Sequence, residues 1–144
     1  AACKISQQML YPVKPPAIKK KRIVLNYLLM GQKGLFLIRK RPEKGIWKGL
    51  YELPLILGEP DLKELVEAFI REYHFNLEQI TELRRIRHKL THAELDIRFY
   101  QADAMPEILA KNLLIISLSE IDDYPFPKPI ADFLQETRKG MSSL

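Results

Sequence analysis

The sequence contains a single cysteine, Cys3, among 144 residues. One cysteine excludes an internal disulfide framework and a metal site built from cysteines of this chain, and it fits a reducing, intracellular setting. The longest apolar stretch, residues 23–30, has eight residues and includes Asn26, whereas a transmembrane helix needs about 18 or more. We therefore expect no membrane contact and a cytoplasmic location, nucleoid-associated if the source is bacterial.

Acidic residues are nearly absent from the first third of the chain. Residues 1–48 contain twelve of the 23 Lys and Arg residues but one of the 18 acids, Glu43, and carry a charge of +11, whereas residues 49–144 carry −6. Because clustered bases attract phosphates, this asymmetry favours a nucleic-acid partner, with a solvated basic tail as the alternative. The chain begins without methionine, from which we expect a piece of a longer protein.

Residues 1–22 differ from the rest in their hydrophobic pattern. They show no sustained hydrophobic periodicity, and they contain three prolines followed by the run KKKR. This pattern predicts an extended interdomain connector or basic arm. Residues 23–144 carry the hydrophobic periodicity that is typical of strands and helices, and the whole chain is 47% hydrophobic. That content is enough for one domain with one core.

The pattern of residues 23–144 predicts an α+β domain, with a mixed β-sheet and two main helices packed on it. One helix begins near Asp61, and its apolar spacing is typical of an amphipathic helix. The second begins near Pro129. The Gly/Pro-rich residues 41–60 predict an irregular segment. Strands are predicted at residues 23–30, 35–39, 80–87, 93–101 and 113–118, the first two as a hairpin and that at 93–101 as half-buried.

A hairpin, a Gly/Pro-rich loop and a helix in this order resemble the layout of Nudix hydrolases. Those enzymes bind Mg²⁺ through several carboxylates on and around the helix. Arg71 and Glu72 match the family's Arg-Glu pair, but the glutamate pair after it is absent. Glu64 and Glu67 remain on the helix, where the spacing places them on the solvent face. A Nudix-type nucleotide pyrophosphatase is therefore an alternative function.

The histidines do not predict a metal site. His88 and His92 are four residues apart, a spacing that suits zinc on a helix, but their segment lies between two predicted strands. His74 lies at a predicted helix end. The sequence also contains no serine-nucleophile motif and no Gly-rich phosphate loop. We predict no metal and no catalytic residues in this chain.

Residues 87–92 combine several features of a nucleic-acid contact. Arg87 and Lys89 can reach phosphates, Leu90 can lie against or between bases, and the Thr91 hydroxyl can read a base edge. The same residues also fit an ordinary basic strand end with a threonine turn. Composition alone leaves both interpretations open.

Four stretches, in this order, resemble the C-terminal domain of MutY-type adenine DNA glycosylases. They are residues 11–14 (YPVK), 37–42 (LIRKRP), 45–54 (GIWKGLYELP) and 88–92 (HKLTH). The resemblance implies a Nudix-like, 8-oxoguanine-recognising domain of a DNA-repair enzyme that removes adenine paired with 8-oxoguanine. The catalytic residues and the 4Fe–4S cluster would lie in a preceding helical domain, so Cys3 is not expected to be a cluster ligand.

The resemblance also implies roles for individual residues. Thr91 occupies the family's serine position and would read 8-oxoguanine, whereas Leu90 replaces the family's wedging phenylalanine. His88 and His92 would shape the loop or reach phosphate, together with Arg87 and Lys89. Contacts to the DNA backbone or to the catalytic domain would come from Lys14, Lys19, Lys20, Lys21 and Arg22.

Three partners follow as possibilities. The first is duplex DNA with 8-oxoguanine opposite adenine, and the second is the parent's own catalytic domain. The third is a separate protein, if the chain is an interaction domain. Because no heptad pattern or exposed apolar stripe stands out, we expect a monomer.

Overall fold

The computed structural model describes residues 21–110 and 112–142. Residues 1–20, with Cys3 and the predicted contacts Lys14, Lys19 and Lys20, lie outside the described residues. The elements are β1 (Lys21–Gln32), β2 (Leu35–Lys40), β3 (Tyr51–Glu52), β4 (Leu55–Leu57), α1 (Leu62–Tyr73), β5 (Thr81–Lys89), β6 (Ala93–Ala102), β7 (Leu113–Ser117), a 3₁₀ helix (Leu118–Asp123) and α2 (Lys128–Ser142).

The strands form one mixed sheet with the order β3-β2-β1-β6-β5. β1 and β6 run parallel, from Lys21 opposite Ala93 to Met30 opposite Ala102. The connection between them includes α1, as parallel strands require a long crossover. β4 pairs antiparallel with β1, and β7 pairs antiparallel with β2. The predicted α+β class, mixed sheet, first hairpin and two main helices are thus confirmed.

The core lies on both faces of the sheet, because successive residues of a strand point to opposite sides. On one face Tyr27 of β1 and Phe99 of β6 belong to a cluster with residues of α2. The Phe99 and Phe133 rings stack there with centroids 3.9 Å apart. On the other face Leu28 packs in a cluster with Phe69 of α1. Each helix therefore covers one side of the central strands.

Two strand predictions need correction. The alternation in β6 predicts a half-buried strand, but Asp96 and Arg98 are each 8% exposed. Both charges tolerate this burial because they pair with each other, at 3.2 Å between Arg98 Nη2 and Asp96 Oδ2. The predicted irregular segment contains β3 and β4. β3 pairs antiparallel with β2, and β4 pairs antiparallel with β1, where Leu28 N–H also donates to the Pro54 carbonyl oxygen at 3.0 Å.

The first helix begins and ends where the sequence predicts. Asp61 and Glu64 form a capping box, in which each side chain accepts a hydrogen bond from the other residue's backbone N–H. His74 ends the helix in the left-handed conformation. Leu62 and Ile70, which the spacing places inward, are 52% and 37% exposed because they lie at the margins of the packed face. Among the described residues, no helix is long and apolar enough to cross a membrane.

Candidate nucleic-acid interface

The hairpin between β5 and β6 carries residues 87–92, the predicted binding segment. β5 includes the first three of these residues, so only the last three form the turn. The turn is closed by a hydrogen bond of 2.8 Å from Leu90 N–H to the Ala93 carbonyl oxygen. Thr91 and His92 therefore lie at the tip, and both are exposed.

Leu90 does not project from the tip beside Thr91. Its side chain is half-buried and packs against the core cluster on the α2 face of the sheet. Insertion between bases would require this side chain to leave the cluster. The tip therefore presents a hydroxyl and an imidazole, and the apolar residue proposed as a wedge stabilises the turn.

Two exposed cations precede the tip on β5. The Arg87 side chain is 75% exposed, and its ion-pair partner Glu94 lies 3.8 Å away. Lys89 is exposed and forms no ion pair within the part of the chain that the structure describes. Because an exposed pair at such a distance contributes little, both positive charges are available to an external anion.

A second loop, residues 41–50, lies against this hairpin, and we call it the tryptophan loop. The Trp47 and His88 rings pack with centroids 6.1 Å apart and planes tilted by 50°. The loop is closed by hydrogen bonds of 3.1 Å from Gly49 N–H to the Pro42 carbonyl oxygen and from Leu50 N–H to the Trp47 carbonyl oxygen. His88 thus links the hairpin to a loop that the sequence separates from it by about forty residues.

A buried acid fixes the tryptophan loop to the core. Glu52 is fully buried and accepts hydrogen bonds of 2.8 Å from the Tyr27 hydroxyl and from Arg41 Nη1. Arg39 Nε lies 3.3 Å from the other carboxylate oxygen. Arg41 Nε in turn donates to the Ile46 carbonyl oxygen in the loop at 3.1 Å. Burial, and next the charge of Glu52, raises the pKa of Tyr27 well above its usual 10.0, so the phenol remains a donor.

Lys44, Trp47 and Lys48 are not among the residues that the sequence predicts to bind DNA. The available signal is the lone tryptophan between lysines in a Gly-rich segment. That signal indicates an ordered loop with a basic surface, but it does not identify the element against which the loop packs. Only the sheet topology brings the loop to the β5–β6 hairpin.

Lys21 and Arg22, which the sequence analysis places in the basic arm, are the first residues of β1. This correction arises because the parallel partner strand continues alongside them, and Lys21 N–H donates to the His92 carbonyl oxygen at 3.4 Å. The Arg22 guanidinium lies 2.7 Å from Asp96 and 3.1 Å from Glu59. Arg22 therefore takes part in an ion-pair cluster of the folded domain.

This cluster predicts a pH dependence of stability. Burial acts to raise the pKa of Asp96, but hydrogen bonds from Arg98 and Arg22 outweigh it and hold the pKa below its usual 3.8. A carboxyl with a lowered native pKa stabilises the fold above its unfolded pKa, and this contribution is lost as the pH falls through the native pKa. We expect Asp96→Asn to reduce the free energy of unfolding near pH 7 and to flatten its decline below about pH 4.

Urea unfolding at several pH values checks this expectation. Glu43→Gln is the matched control, since that carboxylate is exposed and pairs only with Lys40 at 3.6 Å among the described residues. Glu43→Gln should leave the fall in the free energy of unfolding below about pH 4 as steep as in the native chain. An Asp96→Asn protein that loses stability in acid as steeply as the native chain would contradict the assignment.

The α1 face carries an open cleft of about 950 Å³ between the helix and strands β2 and β4. Its ionisable lining consists of Arg39, Arg41, Arg71, His74 and Glu72. Glu64 and Glu67 are exposed on α1, as predicted, and do not line it. Within residues 21–110 and 112–142, no group of three or more His, Cys, Asp or Glu side chains could hold a metal ion. Because magnesium needs several oxygen ligands, this donor set does not fit the metal site of a Nudix hydrolase.

The mixed sheet, the two flanking helices and the cleft beside α1 define a domain of the Nudix class. A comparison with protein-family models matches residues 26–136 to the NUDIX domain. The chain belongs to the NUDIX domain family.

Several solved structures share this fold. The MutT protein of Methanosarcina mazei Go1 has a TM-score of 0.65 at 19% identity, covering 85% of this chain and 96% of that chain. The C-terminal domain of mouse MUTYH, in complex with human PCNA, has a TM-score of 0.62 at 18% identity, covering 85% of this chain and 91% of that chain. The NUDIX domain of Shewanella oneidensis NrtR, complexed with ADP ribose, has a TM-score of 0.64 at 14% identity, covering 89% of this chain and 93% of that chain. At such identities the similarity shows the fold, and function must be argued from the site.

Proposed function

We propose that this chain is the lesion-recognition domain of a MutY-type adenine DNA glycosylase. It binds 8-oxoguanine opposite adenine in duplex DNA, while a catalytic domain of the parent protein removes the adenine. The observation that carries the proposal is the exposed hydroxyl of Thr91, at the tip of a hairpin flanked by exposed cations. The similarity in fold to the C-terminal domain of mouse MUTYH supports it.

The chemistry of the lesion matches a hydroxyl group. 8-Oxoguanine differs from guanine by a hydrogen on N7 and an oxygen on C8. A threonine hydroxyl accepts one hydrogen bond and donates another, so Thr91 can accept from N7–H and donate to O8. Guanine offers a bare acceptor at N7. A hydroxyl placed at this edge of the base therefore favours the lesion.

The residues around Thr91 supply affinity without sequence information. Arg87 and Lys89 provide charge for the phosphate backbone, and such contacts set register and orientation. The imidazole of His92, exposed beside Thr91, adds a polar group that reaches a phosphate. His88 acts indirectly, because its ring packs on Trp47 and supports the strand that leads to the tip.

The adenine-removing residues and the 4Fe–4S cluster belong, in this proposal, to the parent's catalytic domain, which is also a partner of this chain. The alternative of a nucleotide pyrophosphatase is disfavoured by the cleft beside α1, where three arginines and a histidine accompany one carboxylate, Glu72. A protein contact, such as that of the mouse MUTYH domain with human PCNA, would add to DNA recognition without replacing it.

Titration of the chain with two short duplexes tests the proposal. The duplexes are identical except that one carries 8-oxoguanine, and the other guanine, opposite adenine. We expect amide chemical-shift changes concentrated at residues 87–92 and larger with the lesion, measured by NMR at a stated low salt concentration because phosphate contacts weaken steeply with salt. Equal changes with both duplexes, or none at the hairpin, would contradict lesion recognition by this site.

A further inference from the structure

We infer that the tryptophan loop is a second DNA-contacting element, in which Lys44 and Lys48 bind backbone phosphates beside the hairpin that carries Thr91. This inference rests on the proposed function and extends the interface from one loop to two. It assigns the second loop to affinity and leaves lesion choice to the hairpin.

Contacts between the two loops establish that they share one surface. Trp47 packs directly on His88, the second residue of the binding segment 87–92. Ile46, Trp47 and Leu90 all pack, half-buried, against the same core cluster on the α2 face of the sheet. A duplex lying across the Thr91 tip therefore passes close to the tryptophan loop.

The lysines of the tryptophan loop are available for binding. Lys44 and Lys48 are exposed, and neither forms an ion pair with the described residues. The acid of the same loop, Glu43, is paired with Lys40 at 3.6 Å. Two positive charges thus face solvent on the side of the hairpin where His88 packs on Trp47, whereas Arg87 and Lys89, at alternate positions of β5, point to the other face of the strand.

The loop is also held in one shape. Trp47 has φ of 54°, in the left-handed region that residues other than glycine rarely adopt. Such a conformation persists only where the surroundings fix it, and here Arg41 donates to the Ile46 carbonyl oxygen while the Trp47 ring rests on His88. Because ordering a flexible loop weakens binding, a preformed loop presents its lysines at little entropic cost.

Lysine at these positions favours phosphate over base recognition. An ammonium group is a compact, strongly hydrated charge without the planar geometry that reads a base edge. Phosphate contacts position a protein on DNA and carry no sequence information. Removing Lys44 and Lys48 should therefore weaken binding to damaged and undamaged duplexes by the same factor.

The double variant Lys44→Ala/Lys48→Ala tests the inference, with fluorescence anisotropy of the two duplexes described above. Loss of two phosphate contacts should reduce the magnitude of the slope of log K against log salt by about 1.8. The ratio of the native affinity to the variant affinity should therefore be about tenfold smaller at about 200 mM salt than at about 50 mM salt. The ratio of affinities for the two duplexes should not change.

Lys63→Ala/Lys139→Ala is the matched control, because it removes two exposed lysines and the same net charge from α1 and α2. Lys63 lies in α1 beside residues 78–80, and the ion pair between Arg84 and Glu136 brings the last turns of α2 near the beginning of β5. Both control sites thus lie toward the end of β5 away from the tip.

The outcomes separate the two proposals. Equal affinities and salt slopes for the two double variants would overturn the role of the tryptophan loop, while binding by the native chain with a preference for the lesion would leave the proposed function standing. A native chain that binds neither duplex would overturn both. A loss confined to the damaged duplex would also contradict the inference, since it would make the lysines lesion-reading groups.

Discussion

Glu52→Ala is expected to lower the free energy of unfolding by about 3–5 kcal/mol, because removal of one member of a buried ion pair leaves its partner without a counter-charge. Glu52 is 0% exposed and holds Arg41 at 2.8 Å and Arg39 at 3.3 Å. The variant would also leave the buried Tyr27 hydroxyl without its acceptor. Of the three partners, Tyr27 is fully buried, and the Arg41 and Arg39 side chains are 14% and 24% exposed.

Urea unfolding followed by far-UV circular dichroism measures this effect. Glu43→Ala is the control, since it removes the same charge from the neighbouring loop at a side chain that is 75% exposed, where changes usually stay within about 0.5 kcal/mol. Glu52→Gln, which keeps the size and an acceptor oxygen, should lose less stability than Glu52→Ala. A loss below about 1 kcal/mol for Glu52→Ala would mean that the buried network does not stabilise the fold.

The network also explains why a structural acid lies within the stretch that suggests a DNA-repair domain. Glu52 belongs to residues 45–54, which resemble the glycosylase family. Glu52 is itself fully buried, yet through Arg41 it fixes the backbone of Ile46 next to Trp47. Its effect on binding is therefore indirect, through the shape of the tryptophan loop.

Features that depend on neighbours in sequence could be predicted. The capping pair Asp61 and Glu64, the apolar spacing of α1 and the end of the helix at His74 are all encoded within fourteen residues. The burial of β6 on both faces was not predictable in this way. Asp96 lies inside because Arg22, 74 positions away in the sequence, and Arg98 neutralise it, and the alternation of charged and apolar residues gives no sign of those partners.

The candidate site shows the same division. The residue types of segment 87–92 indicate chemistry suited to nucleic acid, and the structure exposes Thr91 and His92 at its tip. The burial of Leu90 depends on a cluster assembled from distant strands and α2. The contact of Trp47 with His88 depends on how β2 and β3 lie relative to β5. The local sequence thus identifies Thr91 as the residue suited to contact a base, whereas the topology determines which residues pack beside the hairpin.

Thr91→Val is expected to reduce the preference for the duplex with 8-oxoguanine over the duplex with guanine by at least about fivefold, since the hydrogen bonds to N7–H and O8 together are worth roughly 1–3 kcal/mol. Valine keeps the branched shape of threonine and removes the hydroxyl. Because the side chain lies exposed at the hairpin tip, the fold and the affinity for undamaged DNA should change little. Affinity ratios for the two duplexes, measured by anisotropy at fixed low salt, give the result.

Thr91→Ser separates the hydroxyl from the rest of the side chain. It keeps the donor and acceptor, so it should retain most of the preference that Thr91→Val loses. This pattern is the reverse of that expected for Lys44→Ala/Lys48→Ala, which should weaken both duplexes and preserve their ratio. A Thr91→Val protein that discriminates as well as the native chain would assign lesion reading to another group, and the exposed imidazole of His92 would then be the nearest candidate on the tip.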